Sequence, residues 1–235
     1  MHILHEKDID ISGFAGVRER HYVMDQRSFG DYRSDGASDG LGALVYLADA
    51  HMRPGGSTGR HSHQRINIVT WVIGGQLLHQ GTLADNTRLG PGEVQVQIAG
   101  ERGFEHNEIN AGEQFNRFIQ LWLLPGEESE TGYCNSEINR GEMRCVFRDT
   151  QGTRVDACHA LRGDRHVLVG EALLYLVSGQ VRVHDAHGSE QLDQCALVQA
   201  TGMQVEILED ALLLYVQQQD TDVHVRRVPR PNSCR

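Results

Sequence analysis

Proline is scarce in this chain, 5 in 235 residues against 26 glycines. That balance suits many short strands joined by glycine turns. Positive charge is also in deficit. Lys plus Arg number 22 against 32 Asp plus Glu, leaving a net charge of -10, which argues against broad binding of a phosphate backbone. The one basic stretch, Arg226-Arg227-Val228-Pro229-Arg230, reads as a short solvated tail. The five cysteines, Cys134, Cys145, Cys158, Cys195 and Cys234, form no CxxC pair. This excludes a zinc ribbon and a thioredoxin-type redox site. No apolar run approaches the roughly 20 residues of a membrane span. The opening MHILHEKDID lacks the apolar core of a signal peptide. The expectation is a cytoplasmic protein with reduced thiols, in contact with neither membrane nor nucleic acid.

What is present is a succession of strand signals. The runs 41–48, 66–73, 76–79, 94–98 and 118–124 are short, rich in β-branched or aromatic residues and punctuated by glycine or proline. Gly74-Gly75 reads as a tight hairpin, and Leu89-Gly90-Pro91-Gly92 as a second turn. A second series follows at 144–147, 166–169, 172–177, 180–184, 196–198, 204–207 and 211–217. Between the two series, 125–132 is polar and turn-rich and reads as a linker. The series also resemble each other. Val72-Ile73-Gly74-Gly75-Gln76-Leu77 matches Leu176-Val177-Ser178-Gly179-Gln180-Val181, and 92–100 matches 194–202 more loosely. The fold expected is all-β, with two tandem β-barrels of jelly-roll type and domains at 1–132 and 133–235.

Two short motifs carry the chemistry. His61-Ser62-His63 and His106-Asn107-Glu108 each place two metal-grade donors at positions i and i+2. On a strand these share one face. If the two strands lie side by side, three imidazoles and a carboxylate can converge on a divalent first-row metal and leave coordination positions open. The repeat supplies an internal control. Carried into the second copy, His61 and His63 fall on Arg165 and Val167, with His166 between them facing the opposite way. His106 and Glu108 fall on Leu208 and Asp210. Any metal therefore belongs to the N-terminal domain. His184-Asp185-Ala186-His187 reads as an exposed hairpin tip. Asp31, Asp35 and Asp39 read as a solvated loop, lacking the ligand order of a calcium loop.

Gly55, six positions before His61, begins a pattern of G-x5-H-x-H, strand, glycine, P-G and a second histidine step that resembles the cupin signature. Within that superfamily the chain resembles the pirin family. The residues that carry the likeness are 28–32 (SFGDY), His61 through Val72, 90–95, Ala99-Gly100, His106-Asn107-Glu108 and 120–123 (QLWL). The resemblance implies a bicupin with one divalent metal in the first barrel, held by His61, His63, His106 and Glu108. Fe(II) stands first, with Ni, Mn, Co, Cu or Zn able to take the same donors. It further implies a quercetin 2,3-dioxygenase-like oxidoreductase acting on a small aromatic flavonol, with Glu108 as the general base on the substrate hydroxyl. The alternative is a non-catalytic, metal- or redox-responsive regulatory protein that binds a protein partner. The chain departs from the family pattern at Asn67, where an acidic residue is usual, at Ser62 in place of proline, and at Gln64-Arg65-Ile66.

Overall fold

The computed structural model describes residues 1–126, 130–218 and the backbone of 226–228. Two compact units divide it, Lys7–Glu137 and a second made of Met1–Glu6 with Ile138–Arg235. Strands dominate both. They are β1 (His2–His5), β2 (Ser12–Phe14), β3 (Val17–Met24), β4 (Leu44–Met52), β5 (His61–His63), β6 (Asn67–Gly74) and β7 (Leu77–Gly81). Next come β8 (Thr87–Leu89), β9 (Glu93–Ile98), β10 (Phe104–Ile109), β11 (Asn116–Leu123), β12 (Gly132–Glu137), β13 (Met143–Arg148) and β14 (Thr153–Ala160). The last are β15 (Arg165–Ser178), β16 (Gln180–Asp185), β17 (Gly188–Asp193), β18 (Ala196–Ile207), β19 (Ala211–Gln218) and β20 (Arg226–Val228).

The Lys7–Glu137 unit is built from two antiparallel sheets. A seven-stranded sheet runs β12-β9-β6-β11-β4-β3-β2, and a four-stranded sheet runs β5-β10-β7-β8. Apolar residues of both meet between them: Val17, Ala50, Met52, Val72 and Phe118 from the larger sheet, Leu77 and Leu89 from the smaller. The strands pair as two separate sheets, which gives the jelly-roll architecture expected from the sequence without closing into one continuous barrel. Gly74-Gly75 is accordingly not a hairpin. β6 pairs with β9 and β11, whereas β7 pairs with β8 and β10, so the glycines carry the chain from one sheet to the other. Gly75 does so at φ +73, where a Cβ would lie 2.8 Å from that of Asn116. The Leu89–Gly92 turn is present, with Glu93 N–H donating to Gly90 O at 3.1 Å, and it too joins the two sheets.

The segment read as a linker lies within this unit. β12 pairs with β9 in continuous register from Gly132↔Ile98 to Glu137↔Glu93, so the compact unit extends past residue 132. Residues 127–129 of that segment are outside the described residues.

In the other unit the strand path is β13-β14-β19-β15-β18-β16-β17, with β1 added to β18 and β20 to β15. The first residues of the chain thus join the C-terminal strands rather than the N-terminal domain expected for them, through His2↔Gln199 to His5↔Ala196. Strands anticipated as separate at 166–169 and 172–177 are one bent strand, as are those at 196–198 and 204–207. Gly170 (φ +77) and Gly202 (φ +69) supply the bends that break each apolar run. The packed interior includes Leu168, Leu174, Val183, Val198, Met203, Val205 and Leu213. His166 faces opposite to Arg165, as strand alternation led one to expect, and that face is buried in this interior. Its Nδ1 lies 2.6 Å from the Tyr215 hydroxyl, because the alternation along β15 turns Arg165 outward and His166 inward.

Of the basic stretch, Arg226–Val228 pairs with Val167–Arg165 of β15 rather than standing as a tail, and Pro229 and Arg230 are outside the described residues. Cys134, Cys145, Cys158 and Cys195 are free thiols, and Cys234 is outside the described residues. No helix among the described residues is long and apolar enough to cross a membrane.

Candidate metal centre

Both motifs are on strands, and the strands are neighbours. β5 and β10 pair antiparallel with His61 opposite His106 and His63 opposite Phe104. The i, i+2 rule then turns His61, His63, His106 and Glu108 toward the larger sheet. Asn107, pointing the other way, accepts a hydrogen bond from the Ser57 hydroxyl at 2.6 Å. The loop before β5 holds the second motif in place. Thr58 N–H donates to Glu108 O at 2.9 Å, and Glu108 N–H donates to the Thr58 hydroxyl at 3.0 Å. Two glycines let the strands approach. A Cβ on Gly103 would sit 2.4 Å from His63 O, and one on Gly81 would sit 2.5 Å from Glu105 O and 3.1 Å from the His106 Cβ.

The three imidazoles converge through their Nε2 atoms. His106 Nε2 lies 3.0 Å from His61 Nε2 and 3.1 Å from His63 Nε2. His61 Nδ1–H donates to Gly59 O at 2.7 Å, which leaves its Nε2 as a bare lone pair aimed at the other two. Nitrogens about 2.1 Å from one cation and at right angles to each other stand about 3.0 Å apart. The donor set therefore fits a divalent ion bound on one face by three histidines.

Protonation favours the same conclusion. Burial, reinforced by the neighbouring histidines, pushes His106 down to about 2. Burial and then His61 push His63 down to about 4. Both are neutral donors at physiological pH.

Glu108 stands slightly apart. Ligating atoms of His61, His63 and His106 lie within 4.8 Å of one another, whereas Glu108 groups with His106 and His79. Its carboxylate is held by the larger sheet. Oε1 accepts from Gln95 Nε2 at 2.8 Å and from the Thr70 hydroxyl at 3.3 Å, and Oε2 accepts from Gln120 Nε2 at 2.9 Å. Gln95, Thr70 and Gln120 form one cross-strand row over β9, β6 and β11. Trp122 Nε1–H donates to Gln120 Oε1 at 3.0 Å, which turns the Gln120 amide nitrogen toward Glu108. Burial raises the Glu108 carboxyl from 4.5 to about 7 despite these three donors. The sequence pattern did not reveal these supports. Gln95 and Gln97 alternate with valines in a way that suggests a solvent-facing strand, yet both are fully buried.

The surroundings of the histidines are aromatic and apolar. His61 and His63 are half-buried, while His106 and Glu108 are each 1% exposed at the base. Phe104 and Trp122 rings lie 5.4 Å from that of His63. Ile66, Leu83 and Trp122 pack on Ile68, Ala99 and Phe104, and Trp122 stacks on Tyr46 at 4.6 Å. Asn67 is not among the groups on Glu108. Its Oδ1 accepts from Ala99 N–H at 3.2 Å and so ties β6 to the turn after β9.

Of the other histidines flagged in the sequence, His184 lies on β16 and His187 in the turn before β17, as the hairpin reading requires. Asp185 accepts from the backbone N–H of His187 and Gly188 at the tip. Among the described residues, the groupings of three or more metal-grade donors all fall in the Lys7–Glu137 unit.

Residues 24–123 match the family model described as Pirin. A Mycobacterium tuberculosis protein named "Putative quercetin 2,3-dioxygenase Rv0181c" is 35% identical over 140 residues, 58% of this chain and 54% of its own length. The quercetin 2,3-dioxygenase of Escherichia coli K12 is 30% identical over 93 residues, 39% of this chain and 40% of its own length. The chain spans about half the length of the first curated relatives it matches. Among solved structures, the Escherichia coli bacterial pirin YhhW in complex with nickel(II) superposes with a TM-score of 0.77 at 18% identity. That match covers 92% of this chain and 97% of the other. A quercetin 2,3-dioxygenase from Acinetobacter baumannii superposes at 0.66 with 15% identity, over 92% and 77% of the two chains. At these identities the two superpositions speak for the fold.

Proposed function

With residues 24–123 forming a pirin domain, we propose that the chain is a metal-dependent dioxygenase of flavonol-like substrates, with His61, His63, His106 and Glu108 as the metal ligands. Fe(II) is the first candidate ion, since mixed imidazole and carboxylate donors with positions left open are those of non-haem iron oxygenases. The observation that carries the reading is the convergence of three imidazole Nε2 atoms, at 3.0 and 3.1 Å from His106 to the other two, beside a buried carboxylate. An ion bound there would act as a Lewis acid on a substrate hydroxyl and bring it together with dioxygen.

The chain's own residues supply the rest. Phe104 and Trp122 line the approach with flat apolar surface suited to an aromatic ring system, and they exclude water from the base of the site. Glu108, once it swings off the ion, would be the group placed to take the hydroxyl proton. Gln95, Thr70 and Gln120 keep that carboxylate oriented as it gains and loses the proton. Relatives named for quercetin dioxygenation support the substrate class. The test is aerobic incubation of Fe(II)-loaded protein with quercetin, following loss of flavonol absorbance and release of carbon monoxide. Turnover no faster than that of free Fe(II) removes the enzymatic reading.

A further inference from the structure

His79 has no place in the ligand set, yet it lies fully buried against it. It sits on β7, with Glu108 directly opposite on β10 and its ring 5.6 Å from that of His106. Its Nε2 is 2.8 Å from Leu83 O. A carbonyl only accepts, so Nε2 carries the hydrogen and Nδ1 is left as a bare acceptor. That Nδ1 is buried and meets no hydrogen-bond partner. His106 Nδ1 is buried in the same condition. His106 Nε2 faces His61 and His63, so when His106 ligates through Nε2 its hydrogen must sit on Nδ1. One strand therefore offers a buried donor without an acceptor, and its neighbour offers a buried acceptor without a donor. Ligating atoms of His79, His106 and Glu108 lie within 4.8 Å of one another. Glu108 does not fill this need as readily, because Oε1 already accepts two hydrogen bonds and the free position on Oε2 is the one left for a metal.

We infer that His79 is a positioning residue whose Nδ1 takes the Nδ1–H of His106 when His106 ligates a metal, a hydrogen bond the two rings do not make as they stand, and so fixes the tautomer and ring angle of that ligand from behind. This rests on the metal reading proposed above and adds a residue to it. The backbone carbonyl of Leu83, in the turn after β7, thereby sets the tautomer of His79 and through it that of His106. Outer partners of this kind alter metal affinity by about 10- to 100-fold.

Two variants separate the hydrogen bond from the packing. His79→Phe keeps the ring volume without an acceptor, while His79→Asn places an amide oxygen near the Nδ1 position. Zn(II) affinity would be measured by competition with a chromophoric chelator, and imidazole tautomers by 15N NMR of the Zn(II)-loaded native protein. Expected are one Zn(II) per chain, affinity lowered about 10- to 100-fold in His79→Phe and kept within a few-fold in His79→Asn. His79 should carry its hydrogen on Nε2. Equal affinities for the two variants, a hydrogen on His79 Nδ1, or a second Zn(II) held through His79 would each overturn the role of His79 while leaving the metal site standing. Native protein that takes up no Zn(II) would instead overturn the metal reading, and this inference with it.

Discussion

Replacing Gln120 with leucine should raise the pH at which the site accepts a metal. Gln120 Nε2–H donates to Glu108 Oε2 at 2.9 Å, and among the donors to this carboxylate it does most to hold its proton affinity down. A hydrogen bond to a charged acceptor is worth about 1.5–3 kcal/mol. One pKa unit is 1.36 kcal/mol, so its loss should lift Glu108 by about 1–2 units above its value near 7. A metal competes with that proton. At pH 7 the native site is about half protonated, and the variant site would be about 90–99% protonated, so apparent affinity should fall by about five- to fifty-fold. At pH 9 and above the two proteins should nearly converge. Trp122→Phe, which removes the Nε1–H that orients Gln120 along with part of the ring surface packed on Tyr46 and His63, should shift the curve the same way by less. Zn(II) competition titrations from pH 5.5 to 9.5 on all three proteins read this directly. If the Gln120→Leu curve coincides with the native one or moves to lower pH, the support assigned to Gln120 is wrong.

Gly81→Ala should destabilise the protein by about 1–3 kcal/mol, the usual cost of overpacking, and weaken metal binding, because the new Cβ meets Glu105 O and the His106 Cβ. Denaturant unfolding and a Zn(II) titration check both effects. In the metal-free protein burial pushes His63 down to about 4 and His106 down to about 2 from the ordinary 6.5, so below pH 6.5 the unfolded chain takes up more protons at these two sites. Their contribution is therefore lost as pH falls from 6.5 toward 4. Glu108, raised to about 7, acts in the opposite sense between 4.5 and 7. With two groups against one, these three sites should lower the unfolding midpoint on acidification from pH 6.5 to 5. In His106→Ala that decline should be shallower. His184→Ala and His187→Ala, at the β16–β17 hairpin, should leave metal content unchanged by elemental analysis.

The proposed metal ligands were legible because their placement depends on local rules. A period of two puts His61 with His63, and His106 with Glu108, on one face whatever the rest of the chain does. That the two strands lie side by side was a condition left open by these rules, and β5 pairing with β10 meets it. Features set by long-range pairing were not legible. Gly74-Gly75 carries the same turn signal for a hairpin as for a crossing between sheets, and only the partners of β6 and β7 distinguish the two. β1 finds its partner, β18, almost the whole chain away. Gly170 and Gly202 interrupt apolar runs much as strand ends do, although the backbone bends there without leaving the sheet. The supporting residues of the site were hidden for a related reason. Gln95 and Gln120 look solvent-facing until a second sheet covers them and places Glu108 within reach. His79, between Leu78 and Gln80, belongs to no motif, and its environment exists only once β7 lies beside β10.

The central claim is that His61, His63, His106 and Glu108 hold one divalent metal. Elemental analysis of native and His106→Ala proteins, purified side by side and checked for folding by circular dichroism, tests it most directly. The account predicts close to one equivalent of a first-row metal in the native chain and none in a variant that keeps its β spectrum. Metal-free native protein that cannot be loaded, or a His106→Ala variant that still holds a full equivalent, would contradict it.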